Sequence, residues 1–485
     1  MSQQQLPRTL GFKTALSIVI GTIIGSAIFM RPVEIVQLLG SPWLVMLAWI
    51  LGGFFTLFML MVMAEVAALM PEEGGLYAIM RNIYGDFWSY LFGWASFVLV
   101  NCAGNAGVAF IFSKYLGFFI RFPSFSAEVE KSFAITIPMV GTVYPLEEFG
   151  VKLCTVAVIS LLSWVSYRST KSGGNLNVFF TVAKLGAIII LVTGFVLGDA
   201  GSVSNMITPS AKIHPEGIAL LLALVAALNG SLQAYDGAQN MLYITGEIKD
   251  PGRNIPLSLI WGILISMFVY ILVNIGLMYV LGMDGIASSE MVASDAAMLS
   301  LGSIGAGMVA FFICISVLGT VSSGVLTAPR LTFAMSRDGH FFKTSGDLHP
   351  VFKTPGNAIL LHLAFMIVFV LSGSFYMLMD MAIFITWTFN LFFIAGLFIL
   401  RKRMPDAQRP YKVWFYPWLP LMVFAGNALF LILVVVKDVS NYTEGKTQFM
   451  NSVASIVLTA MGIPLYYWFK WRKKKIEGLT KKQII

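Results

Sequence analysis

Two stretches of the chain place small and polar residues inside otherwise apolar runs: Ile20-Gly21-Thr22-Ile23-Ile24-Gly25-Ser26-Ala27-Ile28-Phe29 and Asn229-Gly230-Ser231-Leu232-Gln233-Ala234-Tyr235-Asp236-Gly237-Ala238. A helix that breaks inside a membrane starts its second half with free N–H groups and the positive end of a dipole, which suits a carboxylate. Its first half ends in free carbonyls, which suit an ammonium or a small cation. A zwitterion fits between two such breaks. The candidate ligand-binding residues are therefore Ile23, Gly25, Ser26 and Ala27 at the first stretch, and Ser231, Gln233, Tyr235, Asp236 and Gly237 at the second. Gly25, Ser26 and Ala27 would supply amides, and carbonyls around Ser231 to Ala234 would face an ammonium. Gly21 and Gly25 also make the G-x-x-x-G spacing of helix packing. Packing alone does not require an Asp beside a Gly in mid-run.

Lys184, in Phe179-Phe180-Thr181-Val182-Ala183-Lys184-Leu185-Gly186, sits deep in another apolar run, the fifth along the chain. A charge at that depth costs roughly 2.5–3.5 kcal/mol and usually turns to the bundle interior and a partner. Its expected role is a fixed positive charge that braces the first broken helix. Asp236 has two readings: it favours an amino group or a proton, or it caps the second half of its own helix. Glu65 reads as structural. His214, His340, His349 and His362 have no metal-ligand spacing, and no Ser/His/Asp order or phosphate-binding loop is present. No enzyme, metal or cofactor is expected. Cys102, Cys154 and Cys314 fall within or at the edge of apolar runs and read as small buried residues.

The elements that position these residues follow from composition. Of 485 residues, 58% are hydrophobic and 12% charged, against roughly 25% charged in a soluble domain. Runs of about 20 apolar residues, enough to span a bilayer, recur at 12–37, 42–69, 87–116, 149–167, 174–198, 216–244, 255–282, 303–333, 356–372, 377–400, 414–436 and 450–470. The two interrupted runs are the first and the sixth, so each opens a block of five. Matching interruptions in two halves point to a transporter of inverted repeats with its site at the bilayer midplane. The expected fold is an all-α membrane protein of twelve transmembrane helices in one domain. It comprises one five-helix repeat at 12–200, a second, inverted, at 216–400, two further helices at 414–470 and a basic tail at 471–485. The N-terminus lacks the pattern of a cleaved signal, so the first run is expected to be retained.

With the N-terminus in the cytoplasm, 23 of the 32 Lys and Arg residues fall on the inner side and 8 on the outer, leaving Lys184 in mid-run. The positive-inside rule then places both termini in the cytoplasm of a multi-pass protein, with the cell membrane as the expected location. The net charge of +8 is dispersed over loops and tail, where membrane lipid is the available partner and nucleic acid is not. The acidic residues of the outer loop at 117–148, Glu128, Glu130, Glu147 and Glu148, read as a solvated surface.

The segment Ile20 to Phe29 resembles the first-helix signature of the amino acid-polyamine-organocation superfamily, and within it of the L-type amino acid transporters. EVAALMPEEGGLYAIMRNIYG at 65–85, GEIKDPGRNIP at 246–256, LTAPRLTFAMSRDG at 326–339 and RPYKVWFYPWLP at 409–420 are similar to four further family segments. The resemblance implies sodium-independent alternating-access transport of amino acids, often by obligatory exchange. It matches Gly25 and Ser26 to the carboxylate-binding turn and Lys184 to the fifth-helix lysine that takes the place of an ion. Three positions depart from the pattern: Ala27 replaces a glycine, Gln233 a gating phenylalanine and Ala238 a tryptophan. Animal members join a single-span partner through a cysteine in the loop corresponding to 117–148. That loop has none here, so no disulfide-linked partner is expected; self-association is left open. The leading expectation is an amino acid exchanger. Proton-coupled uptake of amino acids or amines through Asp236 or Lys184 is the alternative, and a non-transporting membrane sensor the remote one.

Overall fold

The computed structural model describes residues 6–137, 141–373, 375–445 and 450–484. Lys446 and part of the 117–148 loop lie outside these residues. The described chain is almost wholly helical. Its main elements are α1 (Phe12–Ile23), α2 (Ala27–Leu39), α3 (Pro42–Leu69), α4 (Thr170–Leu197), α5 (Gly217–Ala234), α6 (Pro251–Ser288), α7 (Ser303–Thr327), α8 (Phe375–Arg403) and α9 (Trp418–Thr443). Among the described residues, ten helices are long and apolar enough to cross a membrane, and the bent pair α1–α2 makes eleven. The expected ninth run forms the helix Gly356–Ser372, whose 17 residues fall short of the usual spanning length.

Helix boundaries follow local chemistry. Pro42 opens α3 at a position where its missing N–H costs nothing. The Ser169 side chain accepts from the Ser172 amide at 3.2 Å and caps α4. Gly40, at φ +63°, ends α2 in the left-handed conformation. The expected loops are more ordered than composition alone indicates. A helix at Val292–Leu301 fills half of 283–302, and 117–148 holds a short helix, Ala127–Ser132, and a strand pair joining Ile135–Ile137 to Gly141–Val143.

The core is built by close helix contacts at small residues, as membrane interiors require. α6 lies along α3 and α1, α5 against α2 and α3, and α7 against α4. A Cβ on Gly52 of α3 would come within 2.2 Å of Ser231 Oγ, and one on Gly262 of α6 within 2.3 Å of Val19 Cγ1. These contacts hold α1, α5 and α6 around one interior, where both interrupted helices meet. The segment Asp86–Leu116 is a single apolar run that passes through a π-helical stretch at Ser96–Ala103.

Candidate functional site

The first interruption is a real break. α1 ends where the Ile24 amide bonds Ile20 O at 2.9 Å, Ile24 turns extended at ψ 91°, and α2 leaves at 45° to α1. The carbonyls freed by that break are taken by side chains from three neighbouring helices. Lys184 Nζ donates to Gly21 O at 3.0 Å and to Ile24 O at 2.7 Å. Thr320 Oγ1 donates to Gly21 O at 2.9 Å, Ser316 Oγ to Ile24 O at 3.0 Å, and Tyr270 OH to Ile23 O at 2.7 Å. The amides have no such partners: those of Gly25, Ser26 and Ala27 find no acceptor among the described residues. The break thus presents donors and conceals acceptors.

Lys184 is fully buried, and its position is set by the spacing of α4. Asn177, Thr181 and Lys184 share one face of that helix. Asn177 Oδ1 accepts from Ser323 Oγ at 2.6 Å and Thr181 Oγ1 donates to Ser17 O at 2.9 Å. Gly319 of α7 makes room for the ammonium stem, because a Cβ there would lie 2.9 Å from Lys184 Cε and 3.1 Å from Phe180 Cβ.

The second interruption is gentler. α5 ends at Ala234, Gly237 takes φ +106°, and a 3-10 helix runs on through Ala238–Glu247. Gly237 passes close to the first break, where an added Cβ would stand 3.0 Å from Thr22 O. Of the four carbonyls from Ser231 to Ala234, three accept within the protein: Ser231 O from Tyr235 N at 3.1 Å, Gln233 O from Asp236 N at 3.4 Å and Ala234 O from Tyr270 OH at 2.8 Å. Leu232 O is the one without a donor among the described residues. Tyr270 ties the two breaks together, since its single hydroxyl proton is shared between Ile23 O and Ala234 O.

The candidate side chains divide accordingly. Asp236 accepts from Gln239 Nε2 at 2.8 Å and has no ion pair among the described residues. Gln233 accepts from Arg31 Nη2 at 2.6 Å and donates to Asn229 Oδ1 at 2.7 Å, which links the start of α2, just past the first break, to the last turn of α5. Ser231 is turned away, with its hydroxyl on Leu228 O at 2.9 Å and its side chain against Gly52. Tyr235 is buried on Trp49 and Tyr270, with ring centroids at 6.1 and 4.9 Å, and its hydroxyl donates to Trp49 O at 3.2 Å. Ile23 is a core side chain that offers only its carbonyl. No group of three or more His, Cys, Asp or Glu among the described residues could hold a metal.

Ser316, Thr320, Tyr270, Arg31 and Gln239 belong to this arrangement and were not singled out from the sequence. Ser316, Thr320, Ser323 and Thr327 do form a stripe at helical spacing along α7, which is the signal that marks that face.

At the opposite end of the bundle the N-terminal segment pairs with the chain that follows the 3-10 helix: Leu10 N bonds Glu247 O at 3.0 Å and Lys249 N bonds Leu10 O at 2.8 Å. Glu247 is held by the buried Arg330 at 2.7 Å. These bonds join the N-terminal segment to the chain that follows the second interruption.

The amino acid permease family profile matches residues 10–463. The chain belongs to the amino acid permease family. This permease is 29% identical over 472 residues to the serine/threonine exchanger SteT of Bacillus subtilis, covering 96% of this chain and 98% of that protein. It is 28% identical over 431 residues to the human large neutral amino acids transporter small subunit 2, covering 88% and 76%. It is also 28% identical over 493 residues to the human b(0,+)-type amino acid transporter 1, covering 99% and 93%. The permease is a multi-pass membrane transporter of amino acids and not an enzyme.

Proposed function

We propose that this permease exchanges amino acids across the cell membrane without sodium, by alternating access to the space between the two breaks. The observation that carries the reading is the Lys184 ammonium on Gly21 O and Ile24 O. It occupies the oxygens that a coupling cation at the break would use, and leaves the amide end of α2 open for a substrate carboxylate. The substrate ammonium then faces Leu232 O and the Asp236 side. In this reading Gly25, Ser26 and Ala27 bind the carboxylate, and Asp236 and Gly237 border the opposite pole. Gln233 and Tyr235 hold α5 in place, and Ser231 serves packing.

The Arg31–Gln233 bond is the outer closure and the Leu10–Glu247 pairing the inner one, so that exchange opens each in turn. The two breaks open two inverted five-helix blocks, 12–200 and 216–400, followed by helices at 414–470 and the tail at 471–485. With Gly356–Ser372 counted as a span the total is twelve, and both termini face the cytoplasm. The large neutral amino acids transporter small subunit 2 is by its name one subunit of a larger transporter. The present permease works without a disulfide-linked subunit, supported by a 117–148 loop with no cysteine; of the three cysteines Cys102 and Cys314 are buried and Cys154 is half-buried. Non-reducing electrophoresis of the protein from its native membrane checks this, and a reducible band of higher mass refutes it.

The deciding experiment is uptake of labelled amino acids into proteoliposomes in sodium-free buffer, with and without unlabelled amino acid inside. Uptake confined to loaded vesicles establishes exchange, and equal accumulation in empty vesicles rejects it. One observation favours a second reading: Asp236 is an intramembrane carboxylate with an amide donor and no ion pair among the described residues. Such a group is suited to a proton. Uptake into empty vesicles driven by a pH gradient, and lost in Asp236→Asn, would establish proton coupling instead.

A further inference from the structure

The junction between α8 and α9 carries a cavity of about 410 Å³ whose lining includes Phe398, Arg401, Lys402, Arg409, Lys412 and Tyr416. Four of these are cations. Glu65, fully buried at the end of α3, organises two of them. It receives Arg401 Nε and Nη2 at 2.9 and 2.7 Å, stands 3.3 Å from Arg409 Nε, and accepts the Val413 amide at 2.7 Å. Arg401 also lies 3.8 Å over the Tyr416 ring. Arg403 points elsewhere, to Ile83 O at 2.9 Å. Lys402 and Lys412 are exposed and have no ion pair among the described residues. Glu65 thus serves the two arginines, and the two lysines are left to a ligand.

The surroundings identify the class of that ligand. Tyr416 lines the cavity, and its sequence neighbours Trp414, Phe415 and Trp418 are 62%, 79% and 75% exposed; exposed aromatic rings of this kind collect at the headgroup level of membranes. A free anion needs only the cations. A basic cavity carried by a segment with three exposed aromatic rings fits a ligand with an anionic head and apolar tails, and basic pockets between membrane helices take phospholipid headgroups in this way.

We propose that this cavity binds the headgroup of an anionic phospholipid. Lys402 and Lys412 contact the phosphate, Arg401 and Arg409 are fixed as a positive wall by Glu65, and the acyl chains run past Trp414 and Trp418 along α9. The site is separate from the space between the breaks, and its occupancy does not depend on what is transported there.

The test uses the full-length protein in detergent, titrated by thermophoresis with dioctanoyl phosphatidylglycerol, dioctanoyl phosphatidylcholine and inorganic phosphate. Each lysine contributes roughly fivefold near an anionic lipid. The double variant Lys402→Gln/Lys412→Gln should therefore bind phosphatidylglycerol about 30-fold more weakly, with an unchanged size-exclusion profile. The variant Lys470→Gln/Lys474→Gln in the C-terminal helix should bind like the wild type. Equal affinity for phosphatidylcholine overturns the proposal, as does a double variant that binds normally or a tail variant that loses as much. Competition by inorganic phosphate at matching concentration also overturns it, because the site would then serve a free anion.

Discussion

Replacing Lys184 by Ala separates what the ammonium does for folding from what it does for transport. The substitution deletes two charge-assisted hydrogen bonds, each worth about 1.5–3 kcal/mol. Both carbonyls keep a hydroxyl, Gly21 O that of Thr320 and Ile24 O that of Ser316, so the lower figure applies and the loss is about 3 kcal/mol in all. Burying the ammonium costs roughly 2.5–3.5 kcal/mol in the first place. For folding the two terms nearly cancel, and the thermal midpoint in detergent should stay close to the wild type. Transport has no such compensation if the break must be held in place through the cycle, and about 3 kcal/mol corresponds to roughly a hundredfold slower exchange. The companion variant Gly319→Ala keeps the charge but sets a methyl 2.9 Å from Lys184 Cε and 3.1 Å from Nζ, which should lower both stability and exchange. The assay is counterflow in sodium-free proteoliposomes, measured from each face and normalised to folded protein. Wild-type counterflow from both faces in Lys184→Ala would remove the lysine from the mechanism. A loss of exchange that tracks a loss of folded protein would reduce it to a structural residue.

Four further outcomes follow from the same geometry. Gly25→Val should abolish counterflow with insertion intact, since a Cβ at Gly25 meets only Thr320 Oγ1 at 3.6 Å while the branched γ-carbons fill the turn; unchanged flux would refute amide binding there. Arg31→Ala deletes the charge-assisted bond to Gln233, about 1.5–3 kcal/mol. It should raise thiol labelling of an Ala27→Cys reporter at the first break, and unaltered labelling would show that this bond does not close the site. Glu65→Gln leaves Arg401 and Arg409 without their carboxylate and should cost about 3–5 kcal/mol, read as a lower thermal midpoint, whereas an unchanged midpoint would mean that solvent already screens the cluster. His340, beyond the end of the α7 span, is held neutral because burial pushes its pKa below the usual histidine value, and it lies 3.2 Å from Tyr77 OH. The unfolded chain takes up a proton there before the folded one, so stability is full above about pH 6.5 and falls as pH is lowered through that value; His340→Gln should flatten the decline between pH 7.5 and 5.5, and an identical slope would clear His340 of it.

The parts of this architecture that were legible from sequence are those that break a local rule. A lysine deep in an apolar run must find a partner, so Lys184 announced itself. What it finds is a pair of backbone carbonyls, which every residue possesses and no sequence pattern marks. The first interruption was visible because Gly25 and Ser26 lack the bulk of a lipid-facing helix. Ser231 looked equivalent by type, yet its hydroxyl bonds its own helix and its Cβ side fits Gly52, a contact set by helix packing 179 positions away. Arg31 reads as an ordinary outer charge until the fold brings Gln233 to 2.6 Å. Hydroxyls such as Ser316 and Thr320 are common in membrane helices, and only their stripe along α7 sets them apart.

These particulars bear on why exchange without sodium is the reading the site supports. A helix break creates two kinds of orphaned group, and a coupling cation would need the carbonyls. Around the first break, Lys184, Ser316, Thr320 and Tyr270 supply five donor contacts to Gly21 O, Ile23 O and Ile24 O. The amides of Gly25 to Ala27 are left open at the positive end of α2. The positive pole that a carboxylate needs is therefore permanent, because the resident ammonium is covalently part of the chain and cannot leave with the substrate. A carrier whose binding pole does not travel has no ion gradient to draw on at that place. Net movement then depends either on a second amino acid returning or on a proton at Asp236, and the loaded-versus-empty vesicle comparison separates those two.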